Sequence, residues 1–140
     1  MIDPLEDNYA HNVGGNTAHP LRSRLVFPRH QPNMPLSFVR PTRWVGEGPL
    51  PLPEGPIVPL TEIEVLLIPG VAFCPTEGAR LGLGGGHYDR TLALRAHKTW
   101  SVEAFGVGFS FQQRSQLPLE PWDAQLDGLF TEKGLMRSHA

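Results

Sequence analysis

The chain has 140 residues, 40% of them hydrophobic and 19% charged, with a formal net charge of −2. That length supports one domain with a modest core, and no basic block is present to track a nucleic-acid backbone. No apolar run is long enough to span a membrane and the first residues hold no signal-peptide hydrophobic region, so neither nucleic acid nor membrane is an expected partner.

Residues 1–22 are polar, carry Gly14-Gly15-Asn16 and show no apolar period. They read as a poorly ordered lead-in, with the folded domain over residues 23–140. Most of the 15 prolines fall between Pro20 and Pro59, which leaves little room there for helix. Arg24 to Phe27 reads as a short strand. Leu36 to Arg40 reads as a second, on an edge because prolines flank it. Gly46 to Leu60 reads as a proline-rich loop. Glu64 to Ile68 reads as the central strand: Val65 to Ile68 is a continuous apolar run stopped by Pro69-Gly70, the pattern of a buried parallel strand. Cys74 is the lone cysteine, so no intrachain disulfide forms and a reducing, cytoplasmic setting is expected.

Cys74 to His87 reads as a long loop, and Tyr88 to Ala96 as a helix without internal glycine or proline. Phe105 to Phe109 is an expected strand whose glycines suit a close neighbour. Phe111 to Ser115 fits one helical turn, and Leu129 to Thr131 a last strand. Strands alternating with a helix predict an α/β layered domain with a mainly parallel sheet.

The most informative segment is Gly82-Leu83-Gly84-Gly85-Gly86-His87-Tyr88-Asp89-Arg90, preceded by Arg80 and Leu81. Glycine buries no side chain and loses much backbone freedom on folding, so such a run suits a backbone that must approach a ligand. Phosphate oxygens are the usual target of aimed N–H groups, and a following helix N-terminus strengthens such a site. Asp89, in the first turn of the expected helix, can reach a magnesium ion carried by a nucleotide. The bland alternative is a surface turn between a strand and a helix. No Gly-Lys-Ser/Thr closes the run, so it is not a Walker loop. His87 stands where a dinucleotide fingerprint needs its third glycine.

The ordered string Leu67-Ile68-Pro69-Gly70-Val71-Ala72-Phe73, followed by Gly78-Ala79-Arg80-Leu81-Gly82 and on to Arg90, resembles the signature of the 5-formyltetrahydrofolate cyclo-ligase family. The resemblance continues through Phe105-Gly106-Val107-Gly108-Phe109, Gln112, Leu117-Pro118, Glu120, Asp123 and Gly128 to Glu132. It is weaker over Arg24 to Pro28 and Pro35 to Trp44. Cys74 stands where the family often has Asp, His87 where an aromatic is common, and Trp122 where a His precedes the aspartate.

The resemblance implies a Rossmann-like three-layer α/β domain. It also implies an N-terminally truncated member, because the family opens with a basic strand–helix unit and residues 1–20 hold no Lys or Arg. The implied reaction is the ATP- and Mg²⁺-dependent conversion of 5-formyltetrahydrofolate to 5,10-methenyltetrahydrofolate, with ADP and phosphate released. In it the formyl oxygen attacks the γ-phosphate, and the second folate nitrogen then displaces phosphate from the activated carbon. Phosphoryl transfer of this kind rests on positioning and charge neutralisation more than on a protein nucleophile, and no catalytic residue is assigned. Arg80, Leu81, Gly82, Leu83, Gly84, Gly85, Gly86, His87 and Tyr88 would bind ATP. Trp44, Gly84, Gly85, Gly86, His87 and Tyr88 would bind the folate, and Asp89 and Asp123 the Mg²⁺. Read singly, Asp89 is equally a helix N-terminal carboxylate, Asp123 a turn residue, Arg80 a solvated cation and Trp44 a core aromatic. The alternative function is a catalytically inactive nucleotide- or folate-binding fragment of the same fold.

Overall fold

The computed structural model of the chain describes residues 24–97 and 100–139, so the expected lead-in lies outside the described residues. Strand β1 (Phe27–Arg29) pairs antiparallel with β2 (Ser37–Val39). It starts three residues later than expected, and Pro28 is accommodated because β1 is the sheet edge. Strands β3 (Arg43–Val45) and β4 (Leu52–Glu54) form a hairpin, with β4 inside the region Gly46 to Leu60 that was expected to be loop. Each is an edge strand of a two-stranded ladder, so Pro53 can sit opposite Trp44 without losing a needed donor. Arg43 Nε donates to Glu54 Oε2 at 2.8 Å across it. Strand β5 (Ile57–Val58) then pairs with β2, which is therefore the middle strand of this sheet and not the edge that its flanking prolines suggested, because those prolines lie outside the paired residues Ser37–Val39.

The central sheet begins with β6 (Val65–Ile68). A second hairpin follows, β7 (Ala72–Cys74) and β8 (Ala79–Leu81), with β8 within the segment Cys74 to His87 expected to be loop. Ala72, Phe73 and Cys74 are all buried, so no apolar–polar alternation marked a strand there. Helix α1 (His87–Ala93) follows, continued by a 3₁₀ turn over Leu94–His97. Strand β9 (Glu103–Val107) lies parallel to β6, and β10 (Gly128–Thr131) lies parallel to β9. Between them the expected helical turn is a 3₁₀ turn, Ser110–Gln112. Strand β11 (Gly134–Arg137) closes the sheet antiparallel to β10, in the order β11-β10-β9-β6. It is exposed at every residue and so had no apolar pattern to announce it. The fold is α/β with a mixed sheet.

Alternation along β6 turns Leu66 and Ile68 into the core and leaves Val65 and Leu67 outside. Ala104 of β9 and Leu129 of β10 join the inner face, where Leu92 of α1, Trp100, Val102 and Leu126 pack. The Trp100 indole donates to Ile63 O at 2.9 Å, so this buried ring leaves no orphan N–H. Thr91 is fully buried and links the layers: its Oγ1 accepts from Leu36 N at 2.8 Å and donates to His87 O at 2.6 Å.

The outer face differs. Parallel sheets are ordinarily covered on both faces, yet Val65, Leu67 and Val107 are 50%, 58% and 43% exposed. Phe105 on that face is buried locally, beneath Phe130 at 5.3 Å and the Arg137 guanidinium at 5.6 Å. Among the described residues no helix is long and apolar enough to cross a membrane.

The C-terminal edge of the sheet is organised by Phe73, which is 1% exposed. A Cβ on Gly106 would lie 2.6 Å from its Cε1, one on Gly108 2.9 Å from its Cε2, and one on Gly70 2.9 Å from its Cζ. The ring thus fills the space that these glycines leave, and it docks the β7–β8 hairpin against β6 and β9. Arg114 N donates to Phe73 O at 2.8 Å. The Gln112 amide donates to Gly70 O at 2.9 Å and accepts from Phe109 N at 2.7 Å. Glu132 closes the edge: its carboxylate accepts from the Ser110 hydroxyl and from Ser110 N at 2.8 Å. Those bonds, the hydroxyl's first, hold its carboxyl below the usual glutamate range.

Gly106→Ala should cost about 1–3 kcal/mol of stability, the range of an overpacked core site. Denaturant unfolding checks it, and an unchanged midpoint would mean that Phe73 is not confined. For Glu132 the lowered folded value means that the Ser110 contact stabilises above the usual glutamate range and is lost as pH falls through that lower value. Carboxyl NMR should find Glu132 titrating low and returning upward in Ser110→Ala. A midpoint in the ordinary range in the parent chain would contradict the contact.

Candidate functional site

The β7–β8 hairpin carries the chain back to the C-terminal edge of the sheet, where Val71 N bonds Leu81 O at 2.7 Å. Gly82 to Gly86 then cross from β8 to α1. Gly84 has φ +96° and Gly86 φ +68°, conformations that glycine adopts without a Cβ penalty. A Cβ at Gly84 would meet nothing within 4 Å, so this backbone faces open space. Leu83 is 95% exposed and Leu81 is exposed as well. Gly86 is the residue before the first helical turn, and its carbonyl accepts from Arg90 N at 3.0 Å. Helix α1 has only seven residues, so its dipole adds little to this loop.

Two arginines hold the loop from below and behind. The Arg80 side chain is only 10% exposed. Its Nη1 donates to Pro69 O at 3.0 Å, its Nη2 lies 3.8 Å from Asp89 Oδ2, and its guanidinium sits 5.4 Å from the Tyr88 ring centroid. It lies directly under Gly82, whose absent Cβ would fall 2.7 Å from Nη1. Arg90, which sequence reading left without a role, donates to Gly85 O at 2.8 Å and to Met34 O at 3.4 Å. A basic residue in the first helical turn after a glycine run was the available signal. Arg90 Nη2 is also 3.2 Å from His87 Nδ1. Arginine can only donate, so that nitrogen is placed to accept.

The residues expected at the site separate into groups. Asp89 reaches the neighbour of Asp123: its Oδ1 accepts from Ala124 N at 3.2 Å. Asp123 also closes its own turn, with Oδ2 accepting from Glu120 N at 2.8 Å. His87 lies over Gly85 and against His30, with ring centroids 5.1 Å apart. Tyr88 packs on the hydrophobic core beneath Arg80. Burial pushes its phenol upward, against the opposing pull of Arg80. Trp44 sits on the β3–β4 hairpin, edge-on to Phe27 at 4.9 Å. Among the described residues no group of three or more His, Cys, Asp or Glu side chains could hold a metal ion unaided. Cys74 is fully buried, with Sγ 3.4 Å from Ser115 O, and serves the core.

Comparison with known proteins extends this picture. A sequence profile described as the 5-formyltetrahydrofolate cyclo-ligase family matches residues 23–132. The 5-formyltetrahydrofolate cyclo-ligase of Haemophilus influenzae is 37% identical over 119 residues, covering 82% of this chain and 58% of that protein. Its Escherichia coli K12 namesake is 40% identical over 75 residues, 54% of this chain and 40% of that protein. The solved 5,10-methenyltetrahydrofolate synthetase of Aquifex aeolicus superposes with a TM-score of 0.60 at 36% identity, over 81% of this chain and 57% of that one. The chain therefore spans about half the length of the curated relatives it matches. With the profile running through the glycine loop, both arginines and both aspartates, the chain belongs to the 5-formyltetrahydrofolate cyclo-ligase family.

Proposed function

We propose that the chain carries the nucleotide half of an ATP- and Mg²⁺-dependent 5-formyltetrahydrofolate cyclo-ligase site, forming 5,10-methenyltetrahydrofolate with release of ADP and phosphate. The observation that carries this reading is the open backbone at Gly84, with Arg80 beneath Gly82 and facing Asp89, whose carboxylate holds the Ala124 peptide next to Asp123. Bound nucleotide would supply the phosphoryl group that turns the formyl oxygen into a leaving group.

The chain's own residues have separate tasks. Gly82 to Gly86 offer N–H donors to phosphate oxygens without a side chain intervening. Arg80 puts fixed positive charge under the loop, in a setting that solvent screens little. Arg90 fixes the loop's path through Gly85 O and joins it to the Met34 segment. Asp89 and Asp123 fit Mg²⁺ in the way it usually binds, through one or two carboxylates with phosphates completing the shell. The lack of a three-residue metal cluster among the described residues suits an ion that arrives with its nucleotide. His87, over Gly85, is best placed to touch a folate at the loop. Tyr88 supports the site from the core side, and Trp44 would line it from the hairpin. A reducing, cytoplasmic setting fits the lone buried thiol.

One observation favours the second reading, a binding fragment without turnover. Arg80 and Arg90 both spend their donors on Pro69, Gly85 and Met34 carbonyls, and Arg80 also faces Asp89. A cation aimed at the transferring phosphoryl is worth roughly 10³-fold or more in rate.

The test is ATP-dependent growth of methenyltetrahydrofolate absorbance with the purified chain, alongside calorimetric binding of Mg-ATP. We expect Mg-ATP binding and slow turnover. Gly84→Val should abolish both, because a β-branched residue at that φ is strained and blocks the backbone's approach. Gly46→Val, at φ +111° on the β3–β4 turn, serves as a control for backbone strain and should retain Mg-ATP binding. Binding without any turnover would select the second reading. Absence of both Mg-ATP and 5-formyltetrahydrofolate binding in a folded parent chain would sink both.

A further inference from the structure

The glycine loop is held at its two ends by different parts of the chain. At its entrance the β7–β8 hairpin brings Arg80 beneath Gly82. At its exit, Gly85 and His87 are tied to the turn 30–36 that joins β1 to β2. Three contacts make the tie. Arg90, which donates to Gly85 O at 2.8 Å, also donates to Met34 O at 3.4 Å. The His87 ring centroid lies 5.1 Å from that of His30. Thr91 Oγ1 accepts from Leu36 N at 2.8 Å. The first two contacts lie at the surface. Thr91 is 0% exposed, the one buried polar side chain among the described residues.

Helix formation does not call for threonine at this position. A β-branched residue is stiff at χ1, and its hydroxyl competes with the backbone for hydrogen bonds. Valine has the same shape and would fill the space without burying a polar group. The hydroxyl is instead used twice. It accepts from the amide of Leu36, a buried residue whose N–H would otherwise be orphaned. It donates its own proton to His87 O at 2.6 Å. Two hydrogen bonds in series, away from water, polarise and strengthen each other. His87 is the first residue of α1, and its ring lies over Gly85.

We infer that Thr91 is a positioning residue for the nucleotide: through Leu36 N and His87 O it fixes where the exit of the glycine loop points its N–H groups. The inference rests on the nucleotide reading above and names the side chain that sets the loop's far end. The loop itself cannot set it. Gly84 and Gly86 have φ +96° and +68°, and a glycine joint turns more freely than any other. Nothing lies within 4 Å of where a Cβ on Gly84 would be, so the middle of the loop has no wall to rest on. The relay from Leu36 through Thr91 holds the backbone one residue beyond Gly86 and so limits that freedom. It also makes the turn 30–36 part of the site's support, although that turn is more than fifty residues earlier in the chain.

Calorimetry with Mg-ATP and backbone amide NMR on the full chain test this, using Thr91→Val, Thr91→Ser and Val102→Ala well below their unfolding temperatures. Thr91→Val should shift the Gly85 and Gly86 amides of the free chain and weaken Mg-ATP about tenfold, the loss expected when one loop N–H no longer meets a phosphate oxygen. Thr91→Ser keeps the hydroxyl and should restore both. Val102→Ala is a control for lost stability alone. Val102 is buried just before β9, at the end of the sheet away from the loop, so its variant should unfold at lower temperature yet bind Mg-ATP as the parent chain does. A measurement that needs no variant is the Leu36 amide of the parent chain, which should shift in step with Gly85 and Gly86 as Mg-ATP is added. Parent-like Mg-ATP affinity and loop amides in Thr91→Val, failure of Thr91→Ser to rescue, or an unmoved Leu36 amide would overturn the assignment while leaving the nucleotide reading standing. A folded parent chain that binds no Mg-ATP would remove the nucleotide reading and this inference with it.

Discussion

The packing of Phe73 against Gly70, Gly106 and Gly108 is the contact on which the site depends. Each glycine lies where a Cβ would come within 3 Å of the ring. Interiors packed to crystal-like density leave no slack for such a group. The ring therefore fixes the depth at which the β7–β8 hairpin sits on the sheet. The hairpin in turn fixes where Arg80 points and where the glycine loop begins. A residue with no chemistry of its own thus sets the geometry of those that have it.

Charge at the site follows from that docking. Arg80 comes inward because β8 lies against the end of β6, where the Pro69 carbonyl is free to accept its proton. Its approach to Asp89, at 3.8 Å, is looser than the hydrogen-bonded Arg95–Asp127 pair at 3.0 Å. The carboxylate is shared with the Ala124 peptide instead. That bond carries Asp123 to the loop although it lies 34 residues further along the chain. Arg90 does for the other side of the loop what Arg80 does beneath it, and through Met34 it ties the site to the antiparallel sheet.

Much of this was legible in the sequence. Val65–Ile68 was readable because an unbroken apolar run before Pro-Gly has few other uses, and the glycine run because no packing argument justifies it. The expectation that Asp89 and Asp123 act together came from family resemblance and not from spacing. Other features were hidden for physical reasons. Strand β7 is buried throughout and β11 exposed throughout, so neither carries a period of two. Prolines masked the β3–β4 hairpin, since edge strands tolerate what central strands reject. The inward turn of Arg80 depends on a hairpin that local sequence does not announce. The roles of Gln112, Arg90 and Thr91 are long-range hydrogen bonds, which no pattern along the chain records.

The central claim is that the docked hairpin gathers the glycine loop and the Asp89–Asp123 pair around one phosphate-binding spot. Backbone amide NMR during a titration with Mg-ATP tests it most directly. The amides of Gly82, Gly84, Gly85 and Gly86, with that of Ala124, should shift together and saturate at one ligand concentration. Saturable shifts confined to other parts of the sheet, with the loop amides unmoved, would contradict it.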